Sequence, residues 1–389
     1  MDLKKEAVSL QDELVELRRY FHIHPEKSWE EYNTQKVIMD YLDKLSIHYQ
    51  KVNKTGIIAK IEGKNSSDRI IGIRSDMDAM EMEELTTSSY KSENKGCMHS
   101  CGHDAHMAIL LGTAKILSKI KDELKVKVYL LFQPAEEWII DSGATYMKDE
   151  EDVLDCDRII ALHIWSKLEA GYASLKSGPI MVASDTFDIV VKGKGGHGAI
   201  PNETIDPILV GCDIVNDIQR IVSREISPKD IAVVSVTAFN SGSTSNTTPD
   251  TAVLKGTTRT FSNEIRRNFP EILERICDGA GRANRAEVEF VYHPGNPVML
   301  NDDECVETGL RAANKVFGKE YIVEFGTQMN GEDFAKYKNP KCLLILGGGF
   351  RDQEKRYPQH SPYFDINERV LKLGVEYFVE YVLEYQNEY

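Results

Sequence analysis

The feature that most constrains the fold is an alternation of short β-branched runs with longer segments of helical periodicity. Alternating strands and helices are typical of a layered α/β domain. We expect two helices within residues 1–45, the second opened by a capping box at residues 28–31. Further helices are expected at about 106–124 and 369–384, and strands at 57–61, 70–74, 126–133, 158–163 and 342–346.

A second pattern occupies residues 182–294. Apolar side chains alternate at Phe187, Ile189 and Val191, which predicts a half-exposed strand. The order β-α-β-β-α-β that this strand begins is ferredoxin-like and closes on itself. The later elements are expected at 205–222, 231–239, 252–261, 264–282 and 286–292. We therefore predict a discontinuous domain of residues 1–181 and 295–389, into which residues 182–294 are inserted.

Composition narrows the class of protein. A chain of 389 residues is long for one core, which agrees with two domains. The net charge of −15 argues against nucleic acid or an anionic membrane as a partner. The sequence contains no apolar run of membrane-spanning length and no apolar signal segment at its start. Its seven dispersed cysteines are typical of a reducing compartment, so we expect a cytoplasmic protein.

Acidic and imidazole side chains follow the predicted strands of the larger domain. Open α/β sheets bind ligands at the carboxyl ends of their strands, so these side chains are expected to share one edge. The segment MHSCGHDAH at residues 98–106 precedes a helix, and its loop can reach the same edge. The candidate side chains are Asp78, Cys101, His103, Glu136, Glu137, His163 and His360.

Five of these side chains are expected metal ligands: Cys101, His103, Glu137, His163 and His360. Five donors exceed the four of a closed zinc site and suit two adjacent divalent ions. One thiolate, three imidazoles and one carboxylate allow zinc, manganese, cobalt, nickel or iron. A redox pair of Cys97 and Cys101 is the alternative, but their spacing is not that of a Cys-x-x-Cys motif.

Glu136 stands beside the expected ligand Glu137 and is therefore available for proton transfer. It could accept a proton from an attacking water and deliver it to a leaving amine. The alternatives for Glu136 are a second ligand or charge balance. Asp78 could orient a ligating imidazole. His99, Asp104 and His106 could do the same or be structural.

Nine segments of the chain resemble the metallopeptidase M20 family, and specifically its amidohydrolase branch of aminoacylases, hippurate hydrolases and indole-acetyl-amino-acid hydrolases. These segments are RSDMDAM, MHSCGHDAH, LFQPAEE, ALHIW, GKGGHGAIP, NTTPD, GTTRTF, NGEDFA and PQHSPYFD, and the resemblance runs from about residue 14 to residue 380. It implies a zinc-peptidase-like mixed sheet sandwiched by helices, with a ferredoxin-like α+β insertion that acts as a dimerisation or lid domain. It also implies a dinuclear centre on the five ligands named above, with Glu136 as general acid/base.

For three residues of the insertion, only the resemblance implies a functional role. It implies that His197 reaches the active site of a partner subunit and steadies the oxyanion, and that Asn246 and Arg259 contact a substrate carboxylate. The alternatives are a surface-loop role for His197 and a surface ion pair for Arg259. The chain departs from the family pattern at Trp138–Asp141, where many members have a run of glycines.

The function expected from these observations is a metal-dependent amidohydrolase that cleaves the amide bond of N-acyl amino acids or similar small substrates. The partners expected are that small molecule and a second copy of the chain, in a homodimer or a tetramer. The alternatives are an M20-type carboxypeptidase or dipeptidase, and a metal-binding relative that has lost its activity.

Overall fold

The computed structural model describes residues 2–388, which form two compact units. The first unit comprises the chain up to Gly178, Leu300–Gly326 and the chain from Lys336 onward; the second comprises Pro179–Met299 and Thr327–Ala335. The sequence pattern assigns residues 327–335 to the larger domain, whereas here they belong to the second unit. The reason is a backbone pairing, because the Gln328 amide donates to Ile180 at 2.8 Å and its carbonyl accepts from Val182 at 3.2 Å.

The first unit is built on a mixed sheet of seven strands. Its centre is parallel, and antiparallel strands complete it on both sides. This arrangement confirms the α/β class predicted from the alternating pattern. In order across the sheet the strands are His48–Val52, Gly56–Ile61, Lys127–Gln133, Ile70–Asp76, Arg158–Glu169, Lys341–Gly349 and Ala173–Ser174.

Helices of the first unit pack against this sheet and against one another. Helix His103–Lys119 is apolar on nearly all sides and buried along most of its length, because it lies between the sheet and the terminal helix. Amphipathic helices such as Asp303–Phe317 bury one face only. The helices are Leu3–Ser9, Gln11–Ile23, Tyr32–Lys44, His103–Lys119, Gly143–Met147, Glu151–Leu154, Asp303–Phe317 and Leu371–Gln386.

The second unit contains a four-stranded antiparallel sheet and two helices. Its strands lie in the order Ala232–Ser241, Thr251–Thr260, Ala183–Lys192, Glu287–Asn296. Numbered along the chain this is 2-3-1-4, the ferredoxin-like arrangement. Helices Pro207–Arg220 and Asn263–Asn284 pack on it through a separate apolar core. Two short strands of this unit are Gly196–His197 and Thr247–Thr248, and two others, Gly178–Met181 and Met299–Asn301, fall where the chain passes from one unit to the other.

The capping box expected at residues 28–31 is wrong. Helix Tyr32–Lys44 begins after Glu31, whose side chain makes no capping hydrogen bond. Instead the Glu26 carboxylate accepts from the amides of the second and third helical residues, at 3.0 and 2.7 Å. Glu26 therefore satisfies amide groups that a helix start leaves unpaired, and the side chains of Ser28 and Glu31 are committed elsewhere.

Over residues 2–388, no helix combines the length and the apolar character needed to cross a membrane. All seven cysteines are free thiols.

Candidate metal centre

At the predicted edge of the sheet, residues from three parallel strands lie at the same level. In the parallel register Asp76 pairs with Gln133, and Arg74 pairs with Ala161. His163, two residues beyond Ala161, therefore lies level with Asp76 and Gln133, the last residues of the next two strands on that side of the sheet. This register places His163 beside the loop that carries Glu136 and Glu137.

The loop before helix His103–Lys119 adds a thiol and a second imidazole at this edge. Cys101 Sγ lies 3.4 Å from His163 Nε2. Gly102 has a φ of +97°, and a Cβ added there would lie 2.3 Å from Ile164 Cγ2. Glycine therefore allows both the left-handed turn and the close approach of this loop to the strand that carries His163.

The five expected ligands form overlapping clusters. In each cluster the potential ligand atoms lie within 4.8 Å of one another. The structure thus brings together all five side chains, although they are spread over more than 250 positions of the sequence. The clusters are Cys101–His103–His163, Cys101–Glu137–His360 and His103–Glu136–Glu137.

The hydrogen bonds and protonation of the two histidines, His103 and His163, are compatible with binding to a metal ion. His103 Nδ1 donates to the Asp78 carbonyl at 2.9 Å, and its buried Nε2 has no hydrogen-bond partner among the described residues. His163 Nδ1 donates to the Ile164 carbonyl at 2.8 Å, and burial lowers the pKa of His163 well below its usual value. The His163 Nε2 lone pair is therefore available to a metal. Burial lowers the pKa of His103, but the Asp76 carboxylate and Cys101 outweigh it and raise that pKa well above its usual value, so a cation at His103 Nε2 would replace a proton.

The buried thiol gives the same indication. Burial, reinforced by the Glu137 carboxylate, raises the pKa of Cys101 well above its usual range. A thiolate here needs a neighbouring cation, since its charge would otherwise be buried without compensation. The site therefore has the donor set of a divalent metal centre.

His360 reaches the site from a loop beyond strand Lys341–Gly349. Its backbone is left-handed, with φ of +62°, and its amide donates to the Ser100 carbonyl at 2.9 Å. Its Nε2 lies 3.3 Å from Glu137 Oε1. The backbone bond fixes His360 against the Cys101 loop and offsets a left-handed conformation that costs about 1–2 kcal/mol.

Asp78 contacts both His103 and the backbone of the Glu136–Glu137 pair. The carbonyl oxygen of Asp78 accepts from His103 Nδ1 at 2.9 Å, and its carboxylate lies 3.5 Å from the same nitrogen. Its carboxylate accepts hydrogen bonds from the amides of Glu136 and Glu137, at 2.9 and 3.0 Å, and from the Ser28 hydroxyl at 2.6 Å. Asp78 thus holds the backbone of the Glu136–Glu137 pair, and Glu136 Oε2 lies 4.0 Å from His103 Nε2.

Two of the three unassigned residues of the opening motif have structural partners. His106 Nδ1 donates to Asp76 at 2.6 Å, and its Nε2 accepts from the Ile164 amide at 2.9 Å, so both ring nitrogens are occupied. Asp104 accepts from Arg18 Nε and His22 Nδ1, each at 2.8 Å, and all three side chains are buried.

His99 is the third unassigned residue. It is buried, and burial lowers its pKa to about 3. Neither of its ring nitrogens has a hydrogen-bond partner within residues 2–388. Its imidazole is therefore neutral, and it belongs to none of the ligand clusters given above.

In the second unit, His197 and Asn246 are neighbours. His197 pairs with Thr247 in a short ladder, and the Gly198 amide donates to the Asn246 carbonyl at 2.9 Å. Arg259 is half-buried and donates to the Thr258 carbonyl at 2.9 Å. Eight positions separate Arg259 from Thr251, which pairs with Lys192, five residues before His197. Arg259 therefore lies about 26 Å from Thr251 along the strand.

The residues at Trp138–Asp141 are well anchored at the backbone but expose apolar side chains. Trp29 Nε1 donates to the Asp141 carbonyl at 2.7 Å. Trp138 and Ile140 are 56% and 63% exposed. Two large apolar side chains therefore face solvent within three positions of Glu137.

Sequence reasoning did not identify Ser28, Glu31 and Arg18 as site residues. They contact Asp78, the Ala135 amide and Asp104, respectively. The available signal was the density of charged side chains at residues 18–31, in a segment otherwise expected to be helical.

Comparison with known proteins gives a consistent result. The model for peptidase family M20/M25/M40 matches residues 72–384. N-acetylcysteine deacetylase of Bacillus subtilis is 37% identical over 94% of this chain and 95% of its own. Thermostable carboxypeptidase 2 of Saccharolobus solfataricus is 36% identical over 96% and 95%. The crystal structure of a dinuclear metal-binding M20 peptidase from Bacillus subtilis superposes with a TM-score of 0.84, at 33% identity over 97% of this chain and 99% of that one.

Proposed function

The chain belongs to peptidase family M20/M25/M40, and from that premise we propose that it is a metal-dependent amidohydrolase that cleaves the amide bond of N-acyl amino acids. The observation that carries this proposal is the convergence of Cys101, His103, Glu137, His163 and His360 beside a further carboxylate, Glu136. The similarity to a deacetylase of an N-acyl amino acid supports this substrate class.

We assign the five clustered side chains as ligands of two divalent ions. The mixed set of thiol, imidazole and carboxylate donors is compatible with zinc, manganese, nickel, cobalt or iron. When bound, divalent ions polarise an amide carbonyl and increase the acidity of water. The similarity to a dinuclear metal-binding peptidase supports the number of two.

Glu136 is assigned as the general acid and base. Its carboxylate accepts a proton from the attacking water and returns that proton to the nitrogen of the leaving amine. Its position beside His103, on a backbone held by Asp78, supports this role because proton transfer needs a fixed distance to the reacting atoms. Asp78 contributes by holding the backbone.

For substrate binding we propose His197, Asn246 and Arg259, acting in a homodimer or a tetramer. His197 and Asn246 are neighbours at a separate two-stranded sheet, whereas Arg259 lies on the four-stranded sheet, about 26 Å along its strand from Thr251. A small substrate cannot span about 26 Å, so the two groups of residues would serve two different sites. A second copy of the chain that supplies His197 and Asn246 resolves this, with the inserted unit, predicted as residues 182–294, as the dimerisation or lid domain. Arg259 would then bind the substrate carboxylate through its planar fork of donors.

A cytoplasmic location is part of the proposal. It is supported by the seven free thiols, which an oxidising compartment would tend to pair.

The test is an amine-release assay with acetyl-, benzoyl- and aminoacyl-amino acids, combined with metal analysis. Wild-type protein loaded with each candidate metal should release amine, and a chelator should abolish the release. Glu136→Gln should retain its metal and lose roughly 10²–10⁴-fold in kcat. The matched control is Glu123→Gln, at an exposed glutamate, which should keep the wild-type rate.

The outcomes separate the alternatives. Release only from aminoacyl substrates would favour a carboxypeptidase or dipeptidase, in line with the carboxypeptidase relative. Bound metal without release from any substrate would indicate an inactive metal-binding relative. A Glu136→Gln variant with bound metal and an unchanged rate would refute the assignment of Glu136.

A further inference from the structure

The backbone of the segment Ala135–Glu137 is held by two buried carboxylates. The Ala135 amide donates to Glu31 Oε1 at 2.8 Å, while the next two amides donate to the Asp78 carboxylate at 2.9 and 3.0 Å. Three consecutive N–H groups are thus fixed by the carboxyl groups of two side chains, and hydrogen bonds to an ionised carboxylate are the stronger class. The side chains of Glu136 and Glu137 project from this fixed backbone.

Glu31, which accepts the hydrogen bond from the Ala135 amide, is itself buried and held by a second hydrogen bond. Its side chain has no exposed surface, and its second oxygen, Oε2, accepts from the buried Thr55 hydroxyl at 2.6 Å. Burial, followed by the Asp78 carboxylate, raises the pKa of Glu31 to about 7. A carboxylate buried against another carboxylate is unfavourable by itself, and Glu31 belongs to none of the ligand clusters.

The contact falls at a constrained point of the backbone. Ala135 has a φ of +51°, a left-handed conformation that non-glycine residues rarely adopt. The turn at Ala135 sets the direction in which the next residue, Glu136, leaves the main chain. An acceptor that holds the Ala135 amide therefore controls the placement of the Glu136 carboxylate.

We propose that Glu31 is a positioning residue, which fixes the Ala135 turn and so holds Glu136 at the distance its proton transfers require. The proposal rests on the function assigned to Glu136 above. It makes Glu31 necessary for turnover without contact to substrate or metal. Loss of the contact should affect kcat more than KM, because misplacement of a reacting group by about 1 Å costs up to roughly 100-fold in rate.

The test compares Glu31→Ala with Glu31→Gln. The glutamine keeps an oxygen that can accept from the Ala135 amide, whereas alanine removes the acceptor. Glu31→Ala should lower kcat roughly 10–100-fold, with KM within about twofold and the metal content unchanged, and Glu31→Gln should restore most of the rate. The matched control is Glu26→Ala, which removes another carboxylate of the same segment that accepts two backbone amides but does not contact residues 135–137.

Glu26→Ala should lower the thermal midpoint and leave kcat near wild type. Equal losses of kcat in Glu31→Ala and Glu26→Ala would overturn the proposal, as would equal losses in Glu31→Ala and Glu31→Gln. If Glu31→Ala does not fold, Glu31→Asp replaces it, because the shorter side chain cannot bridge Thr55 and Ala135. Wild-type kcat in Glu31→Asp would overturn the proposal, and a loss that Glu31→Gln does not share would support it.

A double variant separates this inference from the proposed function. If Glu31 acts through Glu136, adding Glu31→Ala to Glu136→Gln should cause no further loss of rate. A further loss of tenfold or more would show that Glu31 acts by another route. Full activity of Glu136→Gln alone would instead refute the proposed function, whatever the effect of Glu31.

Discussion

Replacement of Gly102 by alanine tests how the loop between two proposed ligands is held. The Cβ would lie 2.3 Å from Ile164 Cγ2, on a backbone with φ of +97°. The left-handed conformation should cost about 1–2 kcal/mol, and the overlap with a buried side chain about 1–3 kcal/mol. The free energy of unfolding should therefore fall by about 2–5 kcal/mol in total.

The chain offers a closely matched control for this variant. Gly171 has a φ of +96°, and a Cβ there would meet no atom within 4 Å. Gly171→Ala should show the conformational cost alone, so that the difference between the two variants measures the packing cost of about 1–3 kcal/mol. Urea unfolding of both variants gives this difference.

Metal titration of the same two variants gives a second reading. Any shift of the loop that relieves the overlap moves Cys101 and His103, so Gly102→Ala should also bind metal at least about tenfold more weakly. Gly171→Ala should bind metal as the wild type does. Equal stability and equal metal affinity in the two variants would refute the packing argument.

Two further predictions concern charges buried away from the proposed ligand atoms. Asp104→Asn leaves the buried Arg18 guanidinium paired only with carboxylates that are partly exposed. It should lower the free energy of unfolding by about 3–5 kcal/mol. In a double-mutant cycle with Arg18→Met the two losses should be non-additive, and additive losses would contradict the pairing. Burial raises the pKa of Glu376 from 4.5 to about 7, so its contribution to stability is full below pH 4.5 and is lost as the pH rises through 7. Glu376→Gln should therefore be more stable than wild type at pH 8, by no more than about 3 kcal/mol, and equally stable at pH 4.5. Urea unfolding at both pH values measures this difference. The same difference at both pH values would show that ionisation of Glu376 is not the cause.

Periodicity in the sequence was sufficient for most of the fold because it records which face of each element is buried. The alternation at Phe187, Ile189 and Val191 correctly indicated a strand with one buried face. Strand His48–Val52 was missed because its residues are mostly exposed and do not alternate. Residues 327–335 belong to the second compact unit, which the sequence pattern does not indicate, because main-chain hydrogen bonds to Ile180 and Val182 leave no trace in that pattern.

The ligand candidates were accessible from the sequence because metal-binding side chains are chemically distinctive and follow strand ends. The residues that hold the ligand loops in place could not be identified in this way. Glu31 stands in a position typical of a helix start, and only the fold shows that its carboxylate meets the amide of Ala135, 104 positions away. The approach of both the carbonyl and the carboxylate of Asp78 to His103 Nδ1 likewise depends on backbone direction, which no motif encodes.

The central claim, that five separate side chains hold two divalent ions beside Glu136, is tested most directly by anomalous diffraction from crystals grown with manganese. We predict two anomalous peaks per chain, both among Cys101, His103, Glu137, His163 and His360. A single peak, or two peaks that do not share this set of side chains, would contradict the account.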